Sequence, residues 1–291
     1  MSQNFPPVRL VALDLDGTLL NHSGEITPLT REAIARATAN GVVVVPATGR
    51  PLASLPPVVA QLPGIRYAIT TNGAAVWDMG TDPLGAVYSR YSDAIQRPTH
   101  EPVLLERHCL PPETAREGFA LYREYHGPLS IFSDGRSYLD GTGMALFQDR
   151  HIQRHSTEAR QPDDGRTHVV RDLDEWMSRH AHEVEKFCMF FDSIEIAQAA
   201  LVRFRAFPGI EAVQGAPDNV EVTAAGVDKG TALLALADRL GIPREATLAI
   251  GDSDNDRAML ARAGVAAVMA NALPEIRALG DIVSTRDNDH N

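Results

Sequence analysis

Short apolar runs alternate with amphipathic stretches in the first part of the chain. The runs at 8–15, 42–46 and 67–71 are rich in β-formers and too short for helices, which is typical of strands buried on both faces of a sheet. A helix is predicted over 27–41, because a Thr-Pro pair opens this stretch and an Asn-Gly pair closes it. Strands that alternate with helices predict a parallel α/β sheet.

The same alternation returns in the last part of the chain. Residues 231–240 predict a helix, since apolar side chains recur on one face. Strands are predicted at the apolar runs 247–250, 265–269 and 282–283. Because both ends of the chain share this pattern, we expect residues 1–83 and 224–291 to form one Rossmann-like core with a parallel sheet.

Residues 84–223 have a different pattern, which predicts an inserted α+β cap domain. Two hairpins are expected there, since turn-forming residues separate paired apolar runs. The paired runs are 129–132 with 137–139, and 210–214 with 219–222. A strand at 186–191 is predicted to precede a helix capped by Asp192, with Glu195 at the capping-box position.

Two polar segments are predicted to lack regular structure. Residues 155–171 are rich in Arg, Asp and Gln, which favours a loop. The polar tail at 287–291 is expected to fray, because chain ends without apolar anchors are poorly ordered.

Composition narrows the possible partners. The 291 residues include 27 basic and 38 acidic side chains, which gives a net charge of −11. Such a field repels a nucleic-acid backbone or an anionic membrane, so neither is an expected partner. With 44% hydrophobic residues the chain can form a globular core, and its length favours two domains.

The cysteines and the hydropathy of the chain bear on the cellular compartment of the protein. Cys109 and Cys188 cannot build a disulfide framework, and no zinc-ligand spacing surrounds them. No apolar run approaches the ~20 residues that span a bilayer. We therefore expect a cytoplasmic protein.

An acidic pair follows the first predicted strand. Asp14 and Asp16 lie at the carboxyl end of that strand, where doubly wound sheets bind their ligands. Gly17 lets the loop turn, so both carboxylates can approach one substrate. By itself an Asp-Gly pair after a strand is equally well explained as a turn.

Two further sites add phosphate-binding chemistry. Thr48 and Gly49 follow the second strand and offer a hydroxyl and backbone N–H groups, although a helix N-cap before Pro51 explains them equally well. Lys229 stands just before the predicted helix at 231–240, where its ammonium can bind a phosphate. A lone lysine in that place is usually only solvated.

An acidic run follows the strand predicted at 247–250. Asp252, Asp254 and Asp256 lie within five positions and repel one another unless a cation or hydrogen bonds neutralise them. A calcium loop is the alternative, but its central glycine and terminal glutamate are absent. The run therefore predicts a magnesium site.

In this order, DLDGTLL, TGRP, TNGA, GVDKGTAL and GDSDNDRAML resemble the Cof-type branch of the haloacid dehalogenase superfamily of phosphatases, whose type IIB members carry an α/β cap. The resemblance implies a hydrolase core with the cap inserted and a magnesium-dependent phosphatase that acts through an aspartyl-phosphate. The implied substrate is a small phosphorylated metabolite; sugar phosphates come first, with pyridoxal phosphate or a flavin nucleotide as alternatives.

The resemblance also implies roles for individual residues. Asp14 would be the nucleophile and a metal ligand, while Asp16 would bind the metal through its carbonyl and serve as acid and base, with a raised pKa. The metal would also bind Asp252. The implied phosphate-binding residues are Thr48, Gly49, Lys229 and Asn255, and the implied metal-supporting residue is Asp256.

The sequence departs from the family in two places and leaves alternatives open. It has Ala270-Asn271-Ala272 where the family often has Gly-Asn-Ala, and it ends at Asn291 where relatives often continue into a last helix, which suggests a shortened end.

A phosphotransferase or mutase would share every motif. A phospho-accepting signalling or binding protein is the alternative from another class. A monomer or a homodimer is expected.

Overall fold

The computed structural model describes residues 5–89, 101–155 and 167–290. Within these ranges the strands are β1 (Leu10–Leu13), β2 (Val43–Pro46), β3 (Tyr67–Thr70), β4 (Ala75–Asp78), β5 (Val103–Arg107), β6 (Leu129–Ser133), β7 (Arg136–Asp140), β8 (Thr167–Val170), β9 (Lys186–Phe190), β10 (Ile210–Val213), β11 (Asn219–Ala224), β12 (Thr247–Gly251), β13 (Val265–Val268) and β14 (Ile282–Val283).

The α-helices of the same ranges lie between these strands. They are α1 (Pro28–Ala39), α2 (Pro57–Ala60), α3 (Pro83–Ser89), α4 (Pro112–Tyr122), α5 (Gly141–His155), α6 (Leu173–His180), α7 (Ile194–Arg205), α8 (Lys229–Arg239), α9 (Arg257–Arg262) and α10 (Pro274–Arg277). The predicted helices at 27–41 and 231–240 are confirmed as α1 and α8.

A five-stranded parallel sheet forms the core, in the order β14-β13-β12-β1-β2. The central strand β1 pairs on one side with β12 and on the other with β2, so Leu13 lies beside both Ile250 and Pro46. The carboxyl ends of three strands therefore meet at one edge of the sheet, where Asp14, Thr48 and Asp252 follow. The predicted α/β class is confirmed.

The third predicted strand is connected differently from the others. β3 pairs antiparallel with β4, which pairs antiparallel with β5. A single parallel bridge between Ala47 and Ile69, with the Thr48 amide donating to the Ile69 carbonyl at 2.9 Å, joins this sheet to β2. Thr71, the last residue of the predicted strand, has a φ of +56° and turns the chain away.

A second sheet, here called the cap sheet, contains β6 to β11 in the order β10-β11-β9-β6-β7-β8. Its pairs are antiparallel except β7 with β8. Both predicted hairpins are present as β6–β7 and β10–β11. Helices α4, α6 and α7 cover one face, and their apolar residues form a separate hydrophobic core with that face.

Strand pairing bears on the predicted cap boundaries of 84 and 223. β5 pairs with β4 and not with the cap sheet. Leu110 is the first residue of the hydrophobic core under the cap sheet, and β11 extends to Ala224. We therefore favour a cap that begins after Arg107; the division of the chain itself remains a prediction.

Two local expectations in the cap need correction. The helix predicted to be capped by Asp192 begins one residue later, because the Ser193 hydroxyl accepts the Ile196 amide at 3.3 Å. The loop predicted at 155–171 is wrong at both ends, since His155 ends α5 and Thr167–Val170 form β8. Residues 156–166 of that segment lie outside the described ranges.

The expectation of a frayed tail is also wrong for residues 287–290. The Asn288 side chain is buried and donates to the Leu20 carbonyl at 2.9 Å, and Asp289 bonds to the His22 amide at 2.9 Å. Polar contacts thus anchor a segment that has no apolar residue. In the described part of the chain, no helix combines the length and the apolar content required to cross a membrane.

Candidate active site

A buried lysine connects two acidic loops at the edge of the core sheet. Lys229 is the first residue of α8, which Asp228 caps by accepting the Thr231 amide at 2.7 Å. Its Nζ donates to Asp14 Oδ1 at 2.5 Å and to Asp256 Oδ1 at 2.7 Å. Burial alone would lower the pKa of Lys229, but the two carboxylates outweigh it and raise that pKa above its ordinary value.

Three carboxylates converge beside this lysine. One oxygen of each of Asp14, Asp252 and Asp256 lies within 4.8 Å of the others. Burial and the repulsion of Asp256 raise the pKa of Asp14 well above its ordinary value, and the same two causes raise the pKa of Asp252 to about 7. A cluster of hard oxygen donors that resists ionisation fits a divalent cation such as Mg²⁺.

Asp256 is fully buried and already hydrogen-bonded at both oxygens. Besides the bond from Lys229, its Oδ2 accepts the amides of Asp252 and Ser253, each at 3.0 Å. These bonds fix the loop that carries Asp252. They favour the predicted supporting role of Asp256 over direct metal ligation, and that role remains a prediction.

Thr18 contacts Asp252, and Asn271 contacts the loop that carries Thr18. The Thr18 hydroxyl donates to Asp252 Oδ1 at 2.6 Å, and Asn271 Nδ2 donates to the Gly17 carbonyl at 2.8 Å. Sequence reasoning assigned no role to Thr18, and it read the segment around Asn271 only as a departure from the family pattern. The asparagine of that segment nevertheless contacts the loop of the first acidic motif.

Gly17 is predicted to be irreplaceable at this loop. It has a φ of +88°, and a Cβ there would lie 2.4 Å from Asp252 Oδ2. Gly17→Ala is expected to displace the Asp252 carboxylate, lower the activity by about 100-fold and raise the Mg²⁺ concentration needed for half-maximal activity.

Gly24→Ala is the matched control for Gly17→Ala. Its φ of +74° imposes similar backbone strain, but nothing lies within 4 Å of the added Cβ. It should lose some stability and keep its dependence on Mg²⁺. Equal Mg²⁺ requirements in the two variants would contradict the assignment.

Asp16 lies in a guanidinium fork. Arg50 donates from Nε to Asp16 Oδ2 at 2.9 Å and from Nη2 to Asp16 Oδ1 at 2.6 Å. The Arg50 amide also donates to the Thr48 hydroxyl at 3.1 Å, so one short loop contains both contacts. A bidentate pair of this kind fixes the position and orientation of the carboxyl group. The role of Asp16 as acid and base, with a raised pKa, remains a prediction.

The cap sheet meets the loop that follows β2 at Gly49. A Cβ on Gly49 would lie 2.9 Å from Asn72 Oδ1, 3.0 Å from Glu221 Oε2 and 3.2 Å from Lys186 Nζ. No roles were predicted for these three residues, although Asn72 belongs to the TNGA motif. One feature of the sequence could have drawn attention to Lys186, because it is one of two lysines in the chain. In the structure both lysines, Lys186 and Lys229, are fully buried.

Asn255 lies where the acidic loop touches the cap sheet. Its amide donates to the Gln214 carbonyl at 3.2 Å, and its Oδ1 accepts the Ser253 hydroxyl at 2.7 Å. Its contact with phosphate remains a prediction. Strand pairing and side-chain contacts thus bring the predicted residues from four stretches of chain, 14–16, 48–50, 229 and 252–256, to one edge of the sheet.

Comparison with known proteins bears on the family of the chain. The profile of the haloacid dehalogenase-like hydrolase family matches residues 11–90 and 94–291. The chain is 27% identical to phosphatase YwpJ of Bacillus subtilis strain 168, over 97% of this chain and 96% of that protein. It is 30% identical to the HMP-PP phosphatase of Cronobacter sakazakii, over 93% of this chain and 87% of that protein.

Solved structures show the same fold. A subclass IIB sugar phosphatase of the superfamily superposes with a TM-score of 0.73, over 95% of this chain and 93% of the other, at 21% identity. The predicted core with an inserted cap thus has a structural counterpart. The chain belongs to the haloacid dehalogenase-like hydrolase family, within its Cof-type phosphatases.

Proposed function

We propose that the protein is a Mg²⁺-dependent phosphomonoester hydrolase that acts on a small phosphorylated metabolite through a phosphoenzyme at Asp14. The observation that carries this proposal is the buried cluster of Asp14, Lys229, Asp252 and Asp256 at the edge of the sheet. Without a cation the cluster holds carboxylates with raised pKa values close together, which gives it affinity for a divalent ion.

The cation would be held by Asp14, Asp252 and the carbonyl of Asp16, with Asp256 fixing the loop. When bound, it would neutralise charge on the phosphoryl group and on the attacking carboxylate. Lys229 keeps one Asp14 oxygen oriented through its 2.5 Å bond. The other Asp14 oxygen is the proposed nucleophile, and its bond to phosphorus forms as the bond to the leaving oxygen breaks.

Asp16 is the proposed acid and base. It would give a proton to the leaving oxygen in the first step and take one from the attacking water in the second. Thr48, Gly49, Lys229 and Asn255 are the proposed ligands of the phosphoryl oxygens. The cap would cover this edge of the sheet, where it already contacts Gly49, and so limit the entry of bulk water.

Sugar phosphates are the first proposed substrate class, since the structural relative described above is a sugar phosphatase. An HMP-PP phosphatase among the relatives points to another phosphorylated metabolite. Pyridoxal phosphate and a flavin nucleotide, the alternatives implied by the family resemblance, are kept as test compounds. Two free cysteines, Cys109 and Cys188, are compatible with the cytoplasm, where we place the enzyme.

A phosphate-release assay over these three classes tests the proposal. We expect at least one compound to release free phosphate, with a loss of about 100-fold in EDTA and full recovery when Mg²⁺ is restored. A phosphotransferase would instead consume the phosphate donor without matching release of free phosphate. Equal rates with and without Mg²⁺, or no release from any class, would contradict the proposal.

A further inference from the structure

The central strands of the cap sheet carry apolar side chains on one face and the buried charged residues Lys186 and Glu221 on the other. Ile131, Phe187 and Val222 are paired in register and lie on the face covered by helices. The alternate positions carry Phe132 paired with Lys186, and Ser130, Cys188 and Glu221 in a second row. Because strand side chains alternate between faces, the second face presents a lysine and a glutamate toward the core.

Both charged residues contact the core at Gly49 or beside it. Lys186 Nζ donates to the Gly49 carbonyl at 2.5 Å and lies 3.0 Å from Glu221 Oε2. The same Glu221 oxygen accepts Asn72 Nδ2 at 2.6 Å. The ammonium also lies 4.6 Å from the centre of the Phe132 ring. A buried ion pair of the cap thus bonds to two core loops.

This pair is poorly explained as a device for stability. Removing two charges from water costs free energy, and well-packed apolar residues usually stabilise a buried position at least as well. The other cationic side chains of the chain are arginines, yet the two fully buried positions at the site are lysines. A compact ammonium fits against a backbone carbonyl where a planar guanidinium would not.

The contact at Gly49 leads directly to the proposed acid. The carbonyl that Lys186 holds belongs to the peptide unit between Gly49 and Arg50. The amide of that unit donates to the Thr48 hydroxyl at 3.1 Å. The Arg50 side chain then bonds both oxygens of Asp16. A shift of this peptide unit would therefore move the groups that hold Asp16.

We propose that Lys186 is a positioning residue, through which the closed cap fixes the Gly49–Arg50 peptide and, by way of Arg50, the carboxyl group of Asp16. Glu221 holds the ammonium of Lys186 and ties it to Asn72. The inference rests on the proposed function, since it assigns Asp16 the donation of a proton to the leaving oxygen. It adds a cap residue to the machinery of that step.

The inference makes activity depend on the leaving group. When the phosphorus–oxygen bond breaks, Asp16 supplies the proton that the leaving oxygen takes up, and Asp14 becomes bonded to phosphorus. Phenolate is a poor leaving group and needs this proton, whereas p-nitrophenolate leaves readily as an anion. Misplacing Asp16 should therefore slow phenyl phosphate far more than p-nitrophenyl phosphate, although the two substrates are similar in shape.

Lys186→Met is the first test variant, because it removes the ammonium that lies over the Phe132 ring and keeps an unbranched side chain at this position. We expect kcat/KM, which reports phosphoryl transfer to Asp14, to fall about 100-fold for phenyl phosphate and no more than about 3-fold for p-nitrophenyl phosphate. Arg50→Lys should show the same selectivity, since it breaks the fork on Asp16.

A second variant separates positioning from folding. Lys186→Met combined with Glu221→Gln removes both charges and leaves no buried carboxylate unpaired, so thermal unfolding should stay close to that of the unaltered protein. It should still lose phenyl phosphate activity selectively. An equal loss for both substrates, or no loss in a folded variant, would overturn the inference. Failure of the unaltered enzyme to hydrolyse either compound would count against the proposed function instead.

Discussion

Asp14→Asn is expected to lower phosphate release by about 10⁴-fold or more, the largest loss predicted for any single substitution in this protein. An amide oxygen cannot form the acyl phosphate, and it is a weaker ligand for a divalent cation. The Asn Oδ1 can still accept the bond from Lys229, so the loop should keep its conformation. Initial rates of phosphate release on the best substrate, with and without Mg²⁺, measure the effect.

The same substitution should not weaken the fold of the metal-free protein. The pKa of Asp14 is raised in the folded state, so its ionisation costs stability as pH rises from the unfolded value of about 3.9 toward the folded one. Asp14→Asn removes that cost. Its stability relative to the unaltered protein should therefore rise between pH 5 and pH 8, as measured by urea unfolding in EDTA.

Asp238→Asn is the control for Asp14→Asn, since Asp238 is an exposed residue of α8. It makes the same chemical change away from the site and should alter neither activity nor stability by much. Activity of Asp14→Asn within tenfold of the unaltered enzyme would exclude Asp14 as the nucleophile.

Lys229→Met is expected to have the second largest effect, because it changes activity and stability together. It leaves the buried Asp14 and Asp256 carboxylates without their shared cation, which typically costs about 3–5 kcal/mol of unfolding free energy. It also removes a proposed ligand of the phosphoryl group. We expect the activity to fall by about 10³-fold.

The stability loss in Lys229→Met should depend on pH. The charge of the ammonium lowers the pKa of Asp14, so without it this carboxyl group holds its proton more tightly in the folded state. The cost of its ionisation therefore grows as pH rises above its unfolded pKa. Urea unfolding at pH 5 and pH 8 in EDTA measures this trend. A loss that is larger at pH 5 than at pH 8 would contradict the assigned environment of Lys229.

The core and its acidic cluster could be predicted because strand ends carry a local signal. Asp14 and Asp252 directly follow apolar runs, and parallel strands place their carboxyl ends at one edge of the sheet. Lys229 was found from a different local signal, since it stands just before a predicted helix. The order of the strands was not predictable in detail, and β3 joins the sheet through one bridge and turns toward β4 instead of continuing as a parallel strand.

The cap contribution could not be predicted in this way. Lys186 and Glu221 reach Gly49 and Asn72 across 137 and 149 residues, and no local pattern states which face of the cap sheet meets the core. A partial signal was present, since a charged residue alternating with apolar ones in β11 indicates a polar sheet face. The fork of Arg50 on Asp16 likewise depends on side-chain positions that spacing does not specify.

The C-terminal tail shows a different limit of prediction from the sequence. Residues 287–290 carry no apolar side chain, and hydrophobic patterning therefore predicted fraying. The buried amide of Asn288 and the contact of Asp289 with His22 anchor the segment through hydrogen bonds. Contacts of this kind between distant polar residues leave no periodic trace in the sequence.

A crystal structure of the protein grown with Mn²⁺ in place of Mg²⁺ tests the central claim most directly, because anomalous scattering locates the ion without reference to activity. The account predicts one anomalous peak in contact with the carboxylates of Asp14 and Asp252 and with the carbonyl of Asp16. Absence of a peak at this edge of the sheet at saturating Mn²⁺, or a peak elsewhere only, would contradict it.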